Sequence, residues 1–242
     1  MKKLILKIVL LIVLIVVSIC SLFIGVGYNM YSNAIKEIPI NKKIDEIKDD
    51  DNYTKIEDMT KIYKDAVVAV EDHRFYTHKG VDFISISRAI YRNIVSKHLV
   101  EGGSTITQQL AKNTYFTQNK EITRKIAELF MCKKYEKECS KDLILELYVN
   151  TSYFGDGYYN IKEAGKGYFN KLPNELNSYE ATMLAGVPNA PSVYAPTVNF
   201  NLASQRQRQV LEKMVQYDYI SENEKDEILS KTEEYREYFR NK

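Results

Sequence analysis

The sequence predicts a mostly α-helical domain carried behind one membrane-spanning helix. Three observations predict it. An uncharged apolar run extends from Ile8 to Gly27. From Lys61 onward, apolar residues recur at helical rather than strand spacing. Helix-start signatures recur along the same stretch, and the alternation of a half-buried strand is scarce.

The apolar run comes first in the chain. About 20 such residues are enough to cross a bilayer as a helix. Lys2, Lys3 and Lys7 flank its N-terminal side, which predicts a cytoplasmic N-terminus and an extracytoplasmic remainder. A cleaved signal peptide fits less well, because bulky Ile19 stands before Cys20 where a cut site needs a small residue. Residues 1–30 are therefore expected to be a cytoplasmic tip and a single-pass anchor. Residues 31–60 are polar, with Lys42, Lys43 and Asp49 to Asp51, and are expected to be a linker or stalk.

Residues 61–242 are expected to form the domain. Ile62, Ala66 and Val70 lie four apart. Phe83, Ile86, Ile90 and Ile94 form a second stripe, and Ile122, Ile126 and Leu129 a third. Thr105 with Gln108, Asn177 with Glu180 and Ser221 with Glu224 read as capping boxes. Loops are expected at Gly102-Gly103, Gly155 to Gly157 and Pro188 to Pro196.

Composition narrows the function classes. Lys+Arg 34 against Asp+Glu 32 leaves a net charge of +2, which argues against a nucleic-acid binder. The 3 cysteines, Cys20, Cys132 and Cys139, match neither zinc spacing nor a disulfide framework.

Candidate chemistry sits in a few segments. In Glu71-Asp72-His73-Arg74-Phe75, an apolar run leads directly into two carboxylates. Carboxylates bordering apolar surface suit general-base work, and a solvated helix end is the plainer reading. Gly102-Gly103-Ser104-Thr105-Ile106-Thr107-Gln108-Gln109 places glycines, hydroxyls and amides at a helix start. Such a start serves ordinary capping or an anionic or sugar ligand. Arg124, Lys125 and Glu128 share a helix face, fit for a surface ion pair or for a diphosphate with a divalent metal. Lys112 and Lys120 add positive charge nearby. Glu146, inside an apolar helix, needs a partner and reads as a structural hydrogen-bonding group.

Taken together and in order, these segments resemble the peptidoglycan glycosyltransferase family, glycosyltransferase family 51. The resemblance runs from Ile62 to Met214. It is carried by Glu71 to Phe75 with His78 and Gly80, by Gly103 to Leu110, and by Arg124 to Glu128. It continues through Lys141 to Glu146 with Tyr148 and Asn150, through Glu180 to Pro196, and through Arg206 with Val210-Leu211.

The resemblance implies a lysozyme-like helical lobe with a small membrane-associated jaw between Phe83 and Phe116. The jaw would offer Ile84, Ile86, Ile90, Ile94, Leu99, Tyr115 and Phe116. It implies polymerisation of lipid II by inverting β-1,4 transfer. The donor is a growing glycan strand on undecaprenyl diphosphate, and the acceptor is the GlcNAc 4-hydroxyl of lipid II. By motif position Glu71 is the base. Glu128 is a second catalytic carboxylate and the ligand of Mg²⁺ or Mn²⁺. Ser104, Thr105, Gln108, Gln109, Lys112, Lys120, Arg124, Lys125, Asn150 and Arg206 would bind substrate. Sensitivity to the phosphoglycolipid moenomycin is implied as well.

The sequence departs from the family pattern at Lys120, which stands where many members have Arg, and at Gln207, which replaces an arginine. Asn160 and Asn170 stand where glycines are usual. No Ser-x-x-Lys with companion motifs is found, so cross-linking is expected from separate transpeptidases. Division or elongation proteins are expected partners. Two other functions compete. A lytic hydrolase fits a lysozyme-like lobe but not the diphosphate-suited cations and the anchor. A non-catalytic scaffold fits the departures alone.

Overall fold

The computed structural model of the protein describes residues 2–96, 102–116 and 122–242, apart from the side chain of Ile90. Among these residues the regular structure is helical throughout, as expected. The chain begins with α1 (Lys2–Glu37) and α2 (Ile40–Lys48), then passes through a short 3-10 turn at Ile56–Asp58. There follow α3 (Lys61–Glu71), α4 (Phe83–Ser96), α5 (Ile106–Tyr115), α6 (Ile122–Glu138) and α7 (Lys141–Asn150). The remainder comprises α8 (Ile161–Phe169), α9 (Ser178–Gly186), α10 (Pro191–Tyr194), α11 (Phe200–Gln216), α12 (Glu222–Ser230) and α13 (Thr232–Arg240).

Helix α1 has 36 residues and is long and apolar enough to cross a membrane. At 1.5 Å per residue it measures about 54 Å, well beyond a hydrocarbon core of about 30 Å. Its last turns therefore continue as helix into the lobe, where Tyr28 and Tyr31 pack on Phe130 of α6.

The expected linker at 31–60 is not a free stalk. Ile40, Ile44 and Met59 are buried in the core. The backbone N–H of Thr54 donates to Asn150 Oδ1 at 2.8 Å, and Asn150 Nδ2 donates back to the Thr54 carbonyl at 2.8 Å. Glu146 accepts from the Ile56 N–H at 2.6 Å and from the Tyr53 hydroxyl. Residues 39–60 thus form a strap over α7. Their polar composition concealed this because only a few apolar residues seat the strap, and hydrogen bonds to two side chains hold the rest.

The lobe centres on α3, α5, α7, α9 and α11. Helix α3 packs against α9 and α11, and α5 against α6 and α7. Tyr63, Ala66, Ile106, Leu110, Ile144, Leu145, Leu184 and Leu211 are almost wholly buried. Each large aliphatic among them contributes about 1.5–3 kcal/mol. All three expected capping boxes form, at the starts of α5, α9 and α12.

Helix α4 turns outward, as a membrane-associated jaw requires. Phe83, Ile84, Tyr91, Ile94 and Val95 are all exposed, so its apolar face points outward. Tyr115 and Phe116, expected in the same jaw, pack partly buried against the core, and the Tyr115 hydroxyl donates to the Ile38 carbonyl at 3.0 Å. Leu99 lies outside the described residues.

Candidate active site

A cleft of about 680 Å³ opens where the C-terminal end of α3, the N-terminal end of α5, α4, α6 and α11 meet. Glu71, Ser104, Thr105, Gln108, Gln109, Lys112, Lys125 and Arg206 all line it. Residues predicted from distant motifs therefore converge on one volume.

Glu71 is the last residue of α3, and its carboxylate is held from two sides. Gln109 Nε2 donates to Oε2 at 2.7 Å, and Arg206 Nη2 lies 3.4 Å from Oε1. The Tyr148 hydroxyl in turn donates to Gln109 Oε1 at 3.4 Å, which fixes the amide. Arg206 reaches its place by lying along Gly186, whose carbonyl accepts from Nε at 3.4 Å.

The neighbouring Asp72 does different work. Its carboxylate accepts from the Ile106 N–H at 3.1 Å, and His78 Nε2 lies 2.8 Å from its Oδ2. It is therefore tied into the start of α5 and the loop after α3. Arg74 pairs with Asp82, which also caps α4 through the Ile84 and Ser85 N–H groups. Burial alone would raise the Asp82 pKa, but hydrogen bonds from Arg74 and Ser85 hold it well below the usual carboxylate range.

At the start of α5, Thr105 and Gln108 are spent on the capping box. The Thr105 hydroxyl also donates to the Gly80 carbonyl at 2.5 Å. Both side chains make the cap and also line the cleft. Ser104 instead accepts from Lys125 Nζ at 3.0 Å. Gly103 lets the loop close on α4, since a Cβ there would lie 3.2 Å from Ile86 Cα.

Helix α6 supplies the cations. Lys125 Nζ donates to Glu128 Oε2 at 2.7 Å, and Arg124 Nε lies 3.1 Å from Glu128 Oε1. Glu128 is fully buried, behind the cleft wall rather than in it. This burial gives Glu128 contact with Lys125, which lines the cleft, rather than an opening onto the cleft itself. It also bears on the expected metal. Both Glu128 oxygens face cations, and no trio of His, Cys, Asp or Glu converges among the described residues. The residues present do not fit a divalent ion held by Glu128.

Lys112 of α5 reaches the same region. Burial lowers its pKa below the usual lysine value; Lys125 and Arg124 push the same way, and Glu128 and Glu71 oppose them.

Two further predicted residues fall elsewhere. Asn150 does not line the cleft; its amide holds Thr54, as described above, so its expected substrate contact is corrected to a structural one. Lys120 lies outside the described residues. Gln207, a departure in the last motif, is fully buried and donates to the Tyr179 carbonyl at 2.9 Å and to Thr182 Oγ1 at 3.0 Å. It ties α11 to α9. Asn160 caps α8, and Asn170 takes the left-handed conformation at its end, where asparagine serves as glycine would. All three cysteines are free.

The cleft also contains residues that the sequence did not single out. Arg88 and Arg92 of α4 line it, and so does Tyr217, whose ring stacks on His73 at 4.1 Å. Burial, with Arg88 and Arg74 nearby, lowers the His73 pKa, which favours the neutral ring. No local pattern marks a pair that joins the end of α3 to the end of α11.

Comparison with known proteins decides the family. A family model described as transglycosylase matches residues 40–215. The chain belongs to the transglycosylase family. The match begins at the buried strap rather than at residue 61. Among curated relatives, the chain is 44% identical over 189 residues to penicillin-binding protein 1A of Neisseria flavescens, covering 78% of this chain and 24% of that one. It is 44% identical over 169 residues to penicillin-binding protein 1F of Bacillus subtilis, covering 70% and 24%. The chain thus spans about a quarter of the length of these relatives. A crystal structure of penicillin-binding protein 1A from Haemophilus influenzae aligns with a TM-score of 0.43 at 24% identity, covering 73% of this chain and 17% of that one.

Proposed function

We propose that this transglycosylase polymerises lipid II into peptidoglycan glycan strands at the outer face of the membrane. Strand growth on undecaprenyl diphosphate would proceed by inverting β-1,4 transfer to the GlcNAc 4-hydroxyl of lipid II. The observation that carries this reading is the meeting of Glu71 with the cations of α5, α6 and α11 in one cleft.

A sugar hydroxyl is a poor nucleophile until a base takes its proton as the bond forms. Glu71 is that base. Gln109 and Arg206 hold its carboxylate toward the cleft. The departing diphosphate gathers negative charge, which fixed cations stabilise in the transition state. Lys125 and Lys112 line the cleft and serve that purpose. Arg124 and buried Glu128 stand behind them, with Glu128 holding the Lys125 ammonium in place. Glu128 is thus a positioning residue. Ser104 anchors the same ammonium and would contact sugar or phosphate.

The exposed apolar face of α4 supports contact with the bilayer, where lipid-linked substrates enter. Lys2, Lys3 and Lys7 support a cytoplasmic N-terminus.

The test is incubation of the detergent-solubilised chain with labelled lipid II, with products resolved by size. Long strands that a muramidase digests and moenomycin suppresses are expected. Glu71→Gln should lower turnover by about 10²–10⁴-fold, the usual contribution of a general base, with lipid II binding retained. Near-wild-type turnover would remove Glu71 as the base. Bound lipid II with no strands from the wild-type chain would favour a scaffold.

A further inference from the structure

Helix α1 does more than leave the bilayer near the lobe. It runs against α6, the helix that carries Arg124, Lys125 and Glu128. The contact has a specific seat. Gly27 is the buried residue of α1, whereas the apolar residues of the spanning run are exposed. A Cβ on Gly27 would lie 2.6 Å from Ile126 Cγ2, 2.7 Å from Ile126 Cβ and 2.9 Å from the Thr123 carbonyl oxygen. Two of these atoms belong to backbone or branch point and cannot swing aside. One turn further on, Tyr28 meets Phe130 edge-on at 5.2 Å and Tyr31 stacks on it at 5.8 Å. Gly25, two residues earlier, has nothing within 4 Å of its Cβ position. The close approach is therefore local to Gly27. Small residues allow such backbone proximity between helices at a membrane, where lipid tails give apolar side chains no drive to associate.

Thr123 and Ile126 bracket Arg124 and Lys125 in sequence. The seat therefore lies next in the chain to Lys125, which binds diphosphate in the reading above, on which this inference rests. We infer that Gly27 is a positioning residue: it seats the anchor on α6 and so sets the height of the diphosphate-binding face above the bilayer. A long-chain lipid diphosphate has its depth fixed by its tail, so the cations must meet it at that depth. A short-chain, water-soluble substrate has no such constraint.

The test compares two substrates on the full chain. With Gly27→Leu, turnover of long-chain lipid II in liposomes should fall about tenfold or more, since displacement of a site by about 1 Å can cost on the order of 10²-fold. Turnover of a short-chain lipid II analogue in detergent should stay within about twofold. Gly25→Leu should change neither. If Gly27→Leu does not accumulate in membranes, Gly27→Ala, whose single methyl meets the same three atoms, should show the same split more weakly. Equal losses on both substrates would mean damage to α6 itself, and unchanged turnover on both would mean an idle seat; either result overturns the inference. A wild-type chain that turns over neither substrate counts against the polymerase reading instead.

Discussion

Two glutamates, Glu71 and Glu128, stand in or beside one cleft, and their partners separate their roles. Glu71 meets an amide and one long guanidinium contact, and it lines the cleft. Glu128 is sealed beneath two cations. Replacing Glu128 with Gln would leave Lys125 and Arg124 without a fixed counter-charge, so turnover should fall about 10²–10³-fold, the scale of losing one preorganised electrostatic contact. Because the carboxylate does not fit a metal site, the fractional loss should be equal across Mg²⁺ and Mn²⁺ titrations. A changed metal requirement would restore Glu128 as a ligand. Lys112 gives a pH prediction. Its pKa is lowered from 10.5, chiefly by burial, so it loses its proton below the usual lysine range. A cation that binds diphosphate must be protonated, so kcat/KM should decline on the alkaline side before an ordinary lysine would titrate. Lys112→Arg keeps its charge there and should move that decline upward. A limb that does not move would assign the decline to another group.

At the scale of elements, the strap of residues 39–60 and helix α7 form one unit. Asn150 makes three hydrogen bonds across it, to the Thr54 N–H, the Thr54 carbonyl and the Glu146 carbonyl. Asn150→Ala should cost about 1–3 kcal/mol, the penalty for leaving buried partners unsatisfied. Turnover per folded molecule should hold, since Asn150 stands outside the cleft. Thermal melting alongside the strand assay checks both halves, and lost turnover at unchanged stability would return Asn150 to the site. The same pair shows what was legible in the sequence. Capping boxes such as Thr105 with Gln108 lie within four residues and were readable because their partners are local. Glu71, Gln109, Lys125 and Arg206, named from motifs far apart in the chain, line one cleft. Asn150 with Thr54, and His73 with Tyr217, join distant segments through side-chain geometry that no periodicity carries. The outward stripe of α4 was legible through the jaw that the resemblance implies, but the inward packing of Tyr115 and Phe116 was not, because burial and exposure at a membrane share one pattern.

For the whole molecule, α1 and α4 are separate apolar elements with different outlets. The long helix α1 is long and apolar enough to cross a bilayer, and it continues into the lobe. Helix α4 turns Ile84, Tyr91, Ile94 and Val95 outward beside the cleft that its Arg88 and Arg92 line. Anchorage alone would need only the first. A second apolar contact at the cleft mouth would limit the tilt of the lobe and keep the opening at the headgroup layer, where the proposed lipid diphosphate would reside. Ile84→Asp with Ile94→Asp should therefore leave the chain membrane-bound through α1 and reduce turnover of long-chain lipid II in liposomes. Each buried apolar side chain contributes about 1.5–3 kcal/mol, so removing two should weaken the contact by at least about a hundredfold. Turnover of a short-chain analogue in detergent should persist, because the catalytic groups of α3, α5 and α6 are untouched. Release of the double variant from membranes would mean that α1 does not hold the chain. Full activity on bilayer-embedded substrate would mean that the face of α4 meets something other than lipid.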